Sequence, residues 1–235
     1  MNAAGAVILV TGANRGIGRA LVEEALKRGA ARVYAATRAP YWHTDARVAP
    51  LPMDVTNAAQ VQSAVRSIDR LDIAISNAGL GLTDDLDDRA ALEQCLAVNL
   101  FGTYEVARAV LPLLARSRGA LVNVLSLAAL APVPVSPAYS LSKAAAYSLT
   151  QSLRARWAGR GVSVHAVLPG PVDTDMARGL DIPKASAESV ARAIFDGLEQ
   201  GEVDILPDPL SVAVAEPWRS GAPKALERQF AELAL

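Results

Sequence analysis

The stretch Thr11-Gly12-Ala13-Asn14-Arg15-Gly16-Ile17-Gly18 follows the apolar run Ala6-Val7-Ile8-Leu9-Val10 and leads into a helical pattern. A β-branched run, a glycine turn and a helix, in that order, open a βαβ unit. Gly12, Gly16 and Gly18 allow a tight turn and close approach of the backbone to a pyrophosphate. The helix start adds free N–H groups and a partial positive charge. Asn14, Arg15 and Ile17 complete the turn. Its spacing departs from G-x-G-x-x-G, and it lacks the Lys-Ser/Thr ending of a phosphate-hydrolysing loop. Such a turn also occurs as a plain structural connection, but its place directly after the first strand favours a nucleotide.

The same alternation continues along the chain. Runs at residues 6–10, 32–37, 48–51, 72–76, 121–125, 163–168 and 203–206 predict strands. Helical patterns cover 18–28, 58–67, 90–117, 138–158 and 187–200, with a last helix over 223–235. Most of the strands are continuously apolar, so both faces of the sheet are expected to be covered. The expectation is an α/β chain: one domain over residues 1–235, a doubly wound parallel sheet of about seven strands with helices on both faces. Proline-rich patches at 131–137 and 168–171 each follow a strand. Ligands bind outside the carboxyl ends of such strands, so both patches are candidate walls of a site.

Composition narrows the function. The net charge of -1 argues against nucleic-acid binding, which calls for a basic stripe. Cys95 is the single cysteine, which excludes an intrachain disulfide and a Cys-based zinc site; it reads as a packed thiol. His43 and His165 have no ligand-like spacing, so no metal is expected. The opening apolar run is too short for a membrane span. No membrane partner and a cytoplasmic location are expected.

The end of the second strand bears on the cofactor. An acidic residue there bonds a ribose 2′-OH, whereas Arg accommodates a 2′-phosphate. The run is Ala35-Ala36-Thr37-Arg38, with no acid at its tip, and Arg15 offers a second cation. Together they favour NADP(H) over NAD(H), which stays possible. Asp54, in Met53-Asp54-Val55, reads either as an acceptor for an adenine amino group or as a helix N-terminal acid before Asn57. Asn77-Ala78-Gly79 gives a turn through which backbone approaches the cofactor.

Tyr139 and Lys143 are four residues apart on a predicted helix and share a face. Ser126 ends the fifth strand, 13 residues before Tyr139. These three suit carbonyl reduction, in which hydride reaches the carbon while negative charge grows on the oxygen and must be held and protonated. Bringing a phenol from a pKa of about 10 toward neutrality takes roughly 4 kcal/mol, which a nearby ammonium can supply. Lys143 is placed for that, with the ribose hydroxyls bridging the proton path and Ser126 donating to the substrate oxygen.

With these motifs in order, the sequence resembles the short-chain dehydrogenases/reductases over nearly its whole length. The resemblance implies a Rossmann-type fold and a cofactor turn at Thr11-Gly12…Gly16-Ile17-Gly18. It implies an active-site asparagine at Asn99, holding a water that connects the lysine to solvent. It also implies a carboxamide-binding segment at Pro169-Gly170-Pro171-Val172-Asp173-Thr174, with the Val172 backbone and the Thr174 hydroxyl as contacts. Departures are small: Ser76 stands where many members have Asn, and Leu125 where Ser is frequent. The expected function is therefore an NADP(H)-dependent oxidoreductase interconverting a carbonyl and an alcohol.

A short lid over residues 175–185, an uncharged wall at 127–135 and Leu80, Leu82, Met176 and Leu180 suit a small to medium apolar substrate. Arg178 or Lys184 offers an alternative, an acidic substrate or acyl carrier, as in a 3-oxoacyl-thioester reductase. A dinucleotide-sensing regulator without chemistry is disfavoured by the intact Asn99, Ser126, Tyr139 and Lys143 set. The helices over 90–117 and 138–158 resemble those through which family members form homodimers and homotetramers, which makes a homo-oligomer the expectation.

Overall fold

A computed structural model describes residues 1–232. Its first half contains β1 (Val7–Thr11), α1 (Gly16–Lys27), β2 (Arg32–Thr37), β3 (Val48–Pro52), α2 (Ala58–Arg66), β4 (Ile73–Ser76), α3 (Arg89–Leu96) and α4 (Thr103–Ser117). The second half contains β5 (Ala120–Val124), α5 (Pro137–Trp157), β6 (Ser163–Val167), β7 (Val172–Asp173), β8 (Ala185–Ser186), α6 (Ala187–Gln200), β9 (Asp204–Ile205), α7 (Pro209–Ala213), α8 (Ala215–Ser220) and α9 (Ala222–Ala231).

The main sheet has seven strands in the order β3-β2-β1-β4-β5-β6-β9, and all its pairings are parallel. Alternation along β1 assigns its faces. Ile8 and Val10 enter the core with Leu21, Ile194 and Phe195 from α1 and α6. Leu9 enters the opposite core with Val61, Val106 and Val110 from α2 and α4. Every residue of β4 and β5 is buried, which is why these strands are largely apolar. The buried Asn123 amide of β5 donates to the Thr150 hydroxyl at 2.9 Å. Pro50 and Pro52 are tolerated in β3 because it is an edge strand. Strand order reverses between β1 and β4, so the crevice at their carboxyl ends lies between Thr11 and Asn77.

Two expectations need correction. The helix expected over 90–117 is divided by a π-helical turn, Ala97–Gly102, that carries Asn99. Here the Thr103 hydroxyl donates to the Asn99 carbonyl at 2.8 Å, a side-chain bond that competes with the regular helical ladder. The last helix, expected over 223–235, belongs to a set of three short ones beginning at Pro209, and 233–235 lie outside the described residues. Asp208 caps α7 in a capping box with Ser211, and Gly221 and Pro223 punctuate the start of α9. The small β7–β8 pair, with Val172 opposite Ala185, was also missed; two-residue strands carry too little periodicity to be read. It closes the base of the lid.

Candidate active site

The crevice is built around Thr11, at the end of β1. Its hydroxyl accepts from the backbone N–H of Asn77 (2.9 Å) and Ala78 (3.0 Å). The Asn77 amide donates to the carbonyls of Thr11 (2.9 Å) and Gly12 (3.3 Å). Asn77 therefore stitches the β4 loop to the glycine turn through its side chain. Gly12 has φ of 66°, in the left-handed region. A Cβ at Gly18 would lie 2.1 Å from the Gly12 carbonyl oxygen, so only glycine closes this turn. Arg15, the residue before α1, makes no side-chain cap bond among the described residues. The first N–H groups of α1 thus remain available to an anion.

At the outer end, Arg38 is exposed just beyond β2, while the Thr37 hydroxyl donates to the Ala39 carbonyl at 2.6 Å. Asp54 does not cap α2; Asn57 does, accepting from the Gln60 N–H at 3.1 Å. Asp54 Oδ1 instead accepts from the backbone and the hydroxyl of Thr56 (2.9 and 2.7 Å). Burial pushes the Asp54 carboxyl up, but the Thr56 bonds and the charge of Arg38 outweigh it and leave it below the usual value. Val55 is buried beside it.

At the chemical end, Ser126 follows β5 directly after Leu125, and its hydroxyl accepts from the Ala128 N–H at 3.1 Å. Tyr139 lies in the first turn of α5 and Lys143 in the next. Lys143 is 4% exposed; its ammonium donates to the Val124 carbonyl at 3.0 Å and sits 5.7 Å from the centre of the Tyr139 ring. Burial holds the Lys143 pKa down to about 8. The expected depression of Tyr139 is not found. Burial pushes its phenol above the ordinary tyrosine value, and the facing Ser126 hydroxyl draws it only partly back.

Asn99 is almost wholly buried and its side chain is fully engaged inside the protein. Its Oδ1 accepts from the Leu80 N–H (2.9 Å), and its Nδ2 donates to the Leu80 carbonyl and to Ser142 Oγ, each at 2.8 Å. It joins the loop after β4 to α5, one residue before Lys143. Gly79 passes between: a Cβ there would meet Asn99 Oδ1 at 3.4 Å and Lys143 Nζ at 3.6 Å.

On the third side, the Pro169 carbonyl accepts from the Leu127 N–H at 2.9 Å, and the Gly170 N–H donates to Asp208 at 2.8 Å. Val172 lies in β7, and the Thr174 hydroxyl donates to its carbonyl at 3.3 Å. Contacts join the glycine turn to Asn77 and Ala78, Gly79 and Leu80 to Asn99 and Lys143, and Thr174 to Gly16. The fold adds Ser142, Asp208 and Asp84, whose carboxylate accepts from the Ala138 N–H at the start of α5 (3.3 Å). Of these only Asp208 was legible, from its Asp-Pro-x-Ser cap pattern. Cys95 is buried and its thiol is pushed up by that burial, as for a packed thiol. Among the described residues no helix is long and apolar enough to cross a membrane.

Residues 6–184 match the family model described as short chain dehydrogenase. The chain belongs to the short-chain dehydrogenases. Family members of known structure extend the likeness. A short-chain dehydrogenase from Burkholderia cenocepacia, in complex with NADP, matches with a TM-score of 0.87 and 36% identity, covering 97% of this chain and 99% of that one. A short-chain dehydrogenase/reductase from Burkholderia phymatum, in complex with NAD, matches with a TM-score of 0.80 and 25% identity over 97% and 96% of the two chains. By sequence, 2-(S)-hydroxypropyl-CoM dehydrogenase 3 of Xanthobacter autotrophicus is 36% identical over 205 residues, 80% of each chain.

Proposed function

We propose that this short-chain dehydrogenase is an NADP(H)-dependent oxidoreductase that interconverts a carbonyl and an alcohol, with Tyr139 as its acid and base. The observation that carries the reading is the meeting of Ser126, Tyr139 and Lys143 at the carboxyl end of β5, beside the strand-order reversal. The glycine cradle and the free N–H groups of α1 fit a dinucleotide pyrophosphate. Gly12, Asn14, Gly16, Ile17 and Gly18 would hold it, with Asn77, Ala78 and Gly79 backing the turn. Asp54 and Val55 would border the adenine, Tyr139 and Lys143 the nicotinamide ribose, and Pro169, Gly170, Val172 and Thr174 the carboxamide. The bound cofactor supplies the hydride.

The chain's own residues manage the oxygen and its proton. Ser126 donates to the carbonyl oxygen, and Tyr139 delivers the proton as charge develops there. A phenol held above its usual pKa is protonated at neutral pH and ready as an acid. Lys143 keeps a positive charge beneath it, and Asn99 holds Leu80 and Ser142 so that the loop and α5 keep their spacing.

NADP is preferred on Thr37-Arg38 and Arg15, with no acid at the tip of β2; the NADP complex of the Burkholderia cenocepacia relative is consistent with this. Met176, Leu180 and Ile182 of the lid and Val133 and Val135 of the facing wall are exposed, which supports an apolar substrate of small to medium size. Exposed Phe101 of the π-helical turn, Tyr104 of α4 and Leu141 of α5 support homo-oligomers, dimer or tetramer, built on that side of the molecule. The test is kcat/KM for a panel of apolar ketones and aldehydes with NADPH and with NADH. The reading expects turnover with NADPH favoured; better use of NADH, or no turnover on any carbonyl, overturns it.

A further inference from the structure

Arg15 reaches beyond the glycine turn to the lid. Its Nη1 lies 3.2 Å from Asp175 Oδ2. Asp175 directly follows Thr174 and opens a short helical turn, Asp175–Ala177, while its other oxygen pairs with Arg178. Neighbouring contacts place this segment firmly: the Thr174 methyl lies over Gly16, and the Met176 sulfur lies over Gly81, each 3.0 Å from where a glycine Cβ would stand. Behind it, a cleft of about 700 Å³ separates the lid from α1, its lining mixing Arg19, Lys27 and Lys184 with Glu23, Asp173 and Glu188. Asp175 lines this cleft, and the Arg15 side chain is 68% exposed and free to change partners.

Resting on the NADP reading above, we propose that Asp175 is a specificity-determining residue whose carboxylate competes with the 2′-phosphate of NADP for Arg15. A guanidinium fork takes a carboxylate or a phosphate with the same geometry. One anion on Arg15 weakens its hold on the other, and the Asp175 charge adds repulsion toward an incoming phosphate. NAD carries a 2′-hydroxyl and does not enter the competition. Asp175 thus narrows the gap between the two cofactors without touching the ribose itself.

The test measures dissociation constants of NADP⁺ and NAD⁺ on the full chain by calorimetry, for wild type, Asp175→Asn, Arg15→Ala and the double variant. Asparagine keeps the shape and removes the charge, and melting curves verify that the variants are folded. For an exposed pair the expected gain in NADP⁺ affinity in Asp175→Asn is about two- to fivefold, reduced at high salt. NAD⁺ affinity stays unchanged, and the gain vanishes in the Arg15→Ala background. Unchanged NADP⁺ affinity, or a parallel change for both cofactors, overturns the proposal alone. A wild type that binds NAD⁺ more tightly than NADP⁺ overturns the cofactor reading and this proposal together.

Discussion

Lys143 holds its ammonium 5.7 Å from the centre of the Tyr139 ring, one helical turn further along α5. The same ammonium donates to the Val124 carbonyl at the end of β5. Its charge is thus positioned by the sheet as well as by the helix that carries both residues. A lysine tied at two places keeps its field on the phenol while the cleft above it changes.

Tyr139→Phe removes the proton donor and little else, since the ring still packs on α5. Steady-state turnover should fall by roughly 10²–10⁴-fold, while calorimetric cofactor affinity stays within a few-fold of wild type. Full activity in this variant would falsify the mechanism.

Turnover should depend on the charge of Lys143. Burial holds its pKa down to about 8, so the ammonium persists below that pH and is lost above it. Carbonyl reduction should accordingly hold steady up to about pH 8 and decline beyond. Lys143→Met should lower the rate and flatten that limb. A rate that climbs through pH 8 in wild type is the contrary result.

His165 supplies a pH dependence of stability. Its Nδ1 lies 2.6 Å from the Glu202 carbonyl, and its buried Nε2 has no partner among the described residues. Burial depresses its pKa below 6.5, so the folded chain keeps the ring neutral where the unfolded chain protonates it. Unfolding then takes up protons, and stability is lost as pH falls below about 6.5 toward the folded pKa. Denaturant titrations between pH 7.5 and 5.5 should show this slope, and His165→Gln should reduce it. Equal slopes in the two proteins would count against this account.

Asp204 fastens the C-terminal helices. It is 3% exposed, and its carboxylate accepts from Arg154 (2.9 Å), Lys224 (2.7 Å), Tyr147 (3.0 Å) and Trp218 (3.2 Å). Burial raises its pKa, but the charges of Arg154 and Lys224 dominate and hold it low. Asp204→Ala leaves Arg154 and Lys224 with Glu227 as their remaining carboxylate partner, removes the acceptor of Tyr147 and Trp218, and should cost about 2–3 kcal/mol. Tyr147→Phe removes one bond and should cost about 1 kcal/mol. Thermal melts that rank the two variants the other way would refute the assignment of Asp204 as the hub.

Much of this architecture was legible because it depends on local pattern. Continuous apolar runs marked the buried strands, and Gly12, Gly16 and Gly18 marked the turn after β1. The four-residue step from Tyr139 to Lys143 is a property of any helix. The π-helical turn at Asn99 was not legible, because apolar periodicity runs through it unchanged. Nor was the Asp84–Ala138 link, made by residues 54 positions apart, or the Arg15–Asp175 pair, separated by 160. A carboxylate carries no sign in sequence of which distant donor it will meet.

Sequence alone determined the order of the seven sheet strands and the main helices between them, and the chemical identity of the candidate site residues. Hydrophobic period and turn chemistry act between near neighbours, so they survive in one dimension. Tertiary structure decided what those residues experience: Tyr139 raised by burial where a lowered phenol was expected, Asn99 committed to Leu80 and Ser142, Arg15 turned to the lid. Desolvation and long-range pairing depend on what surrounds a group in space, and only folding brings those surroundings together.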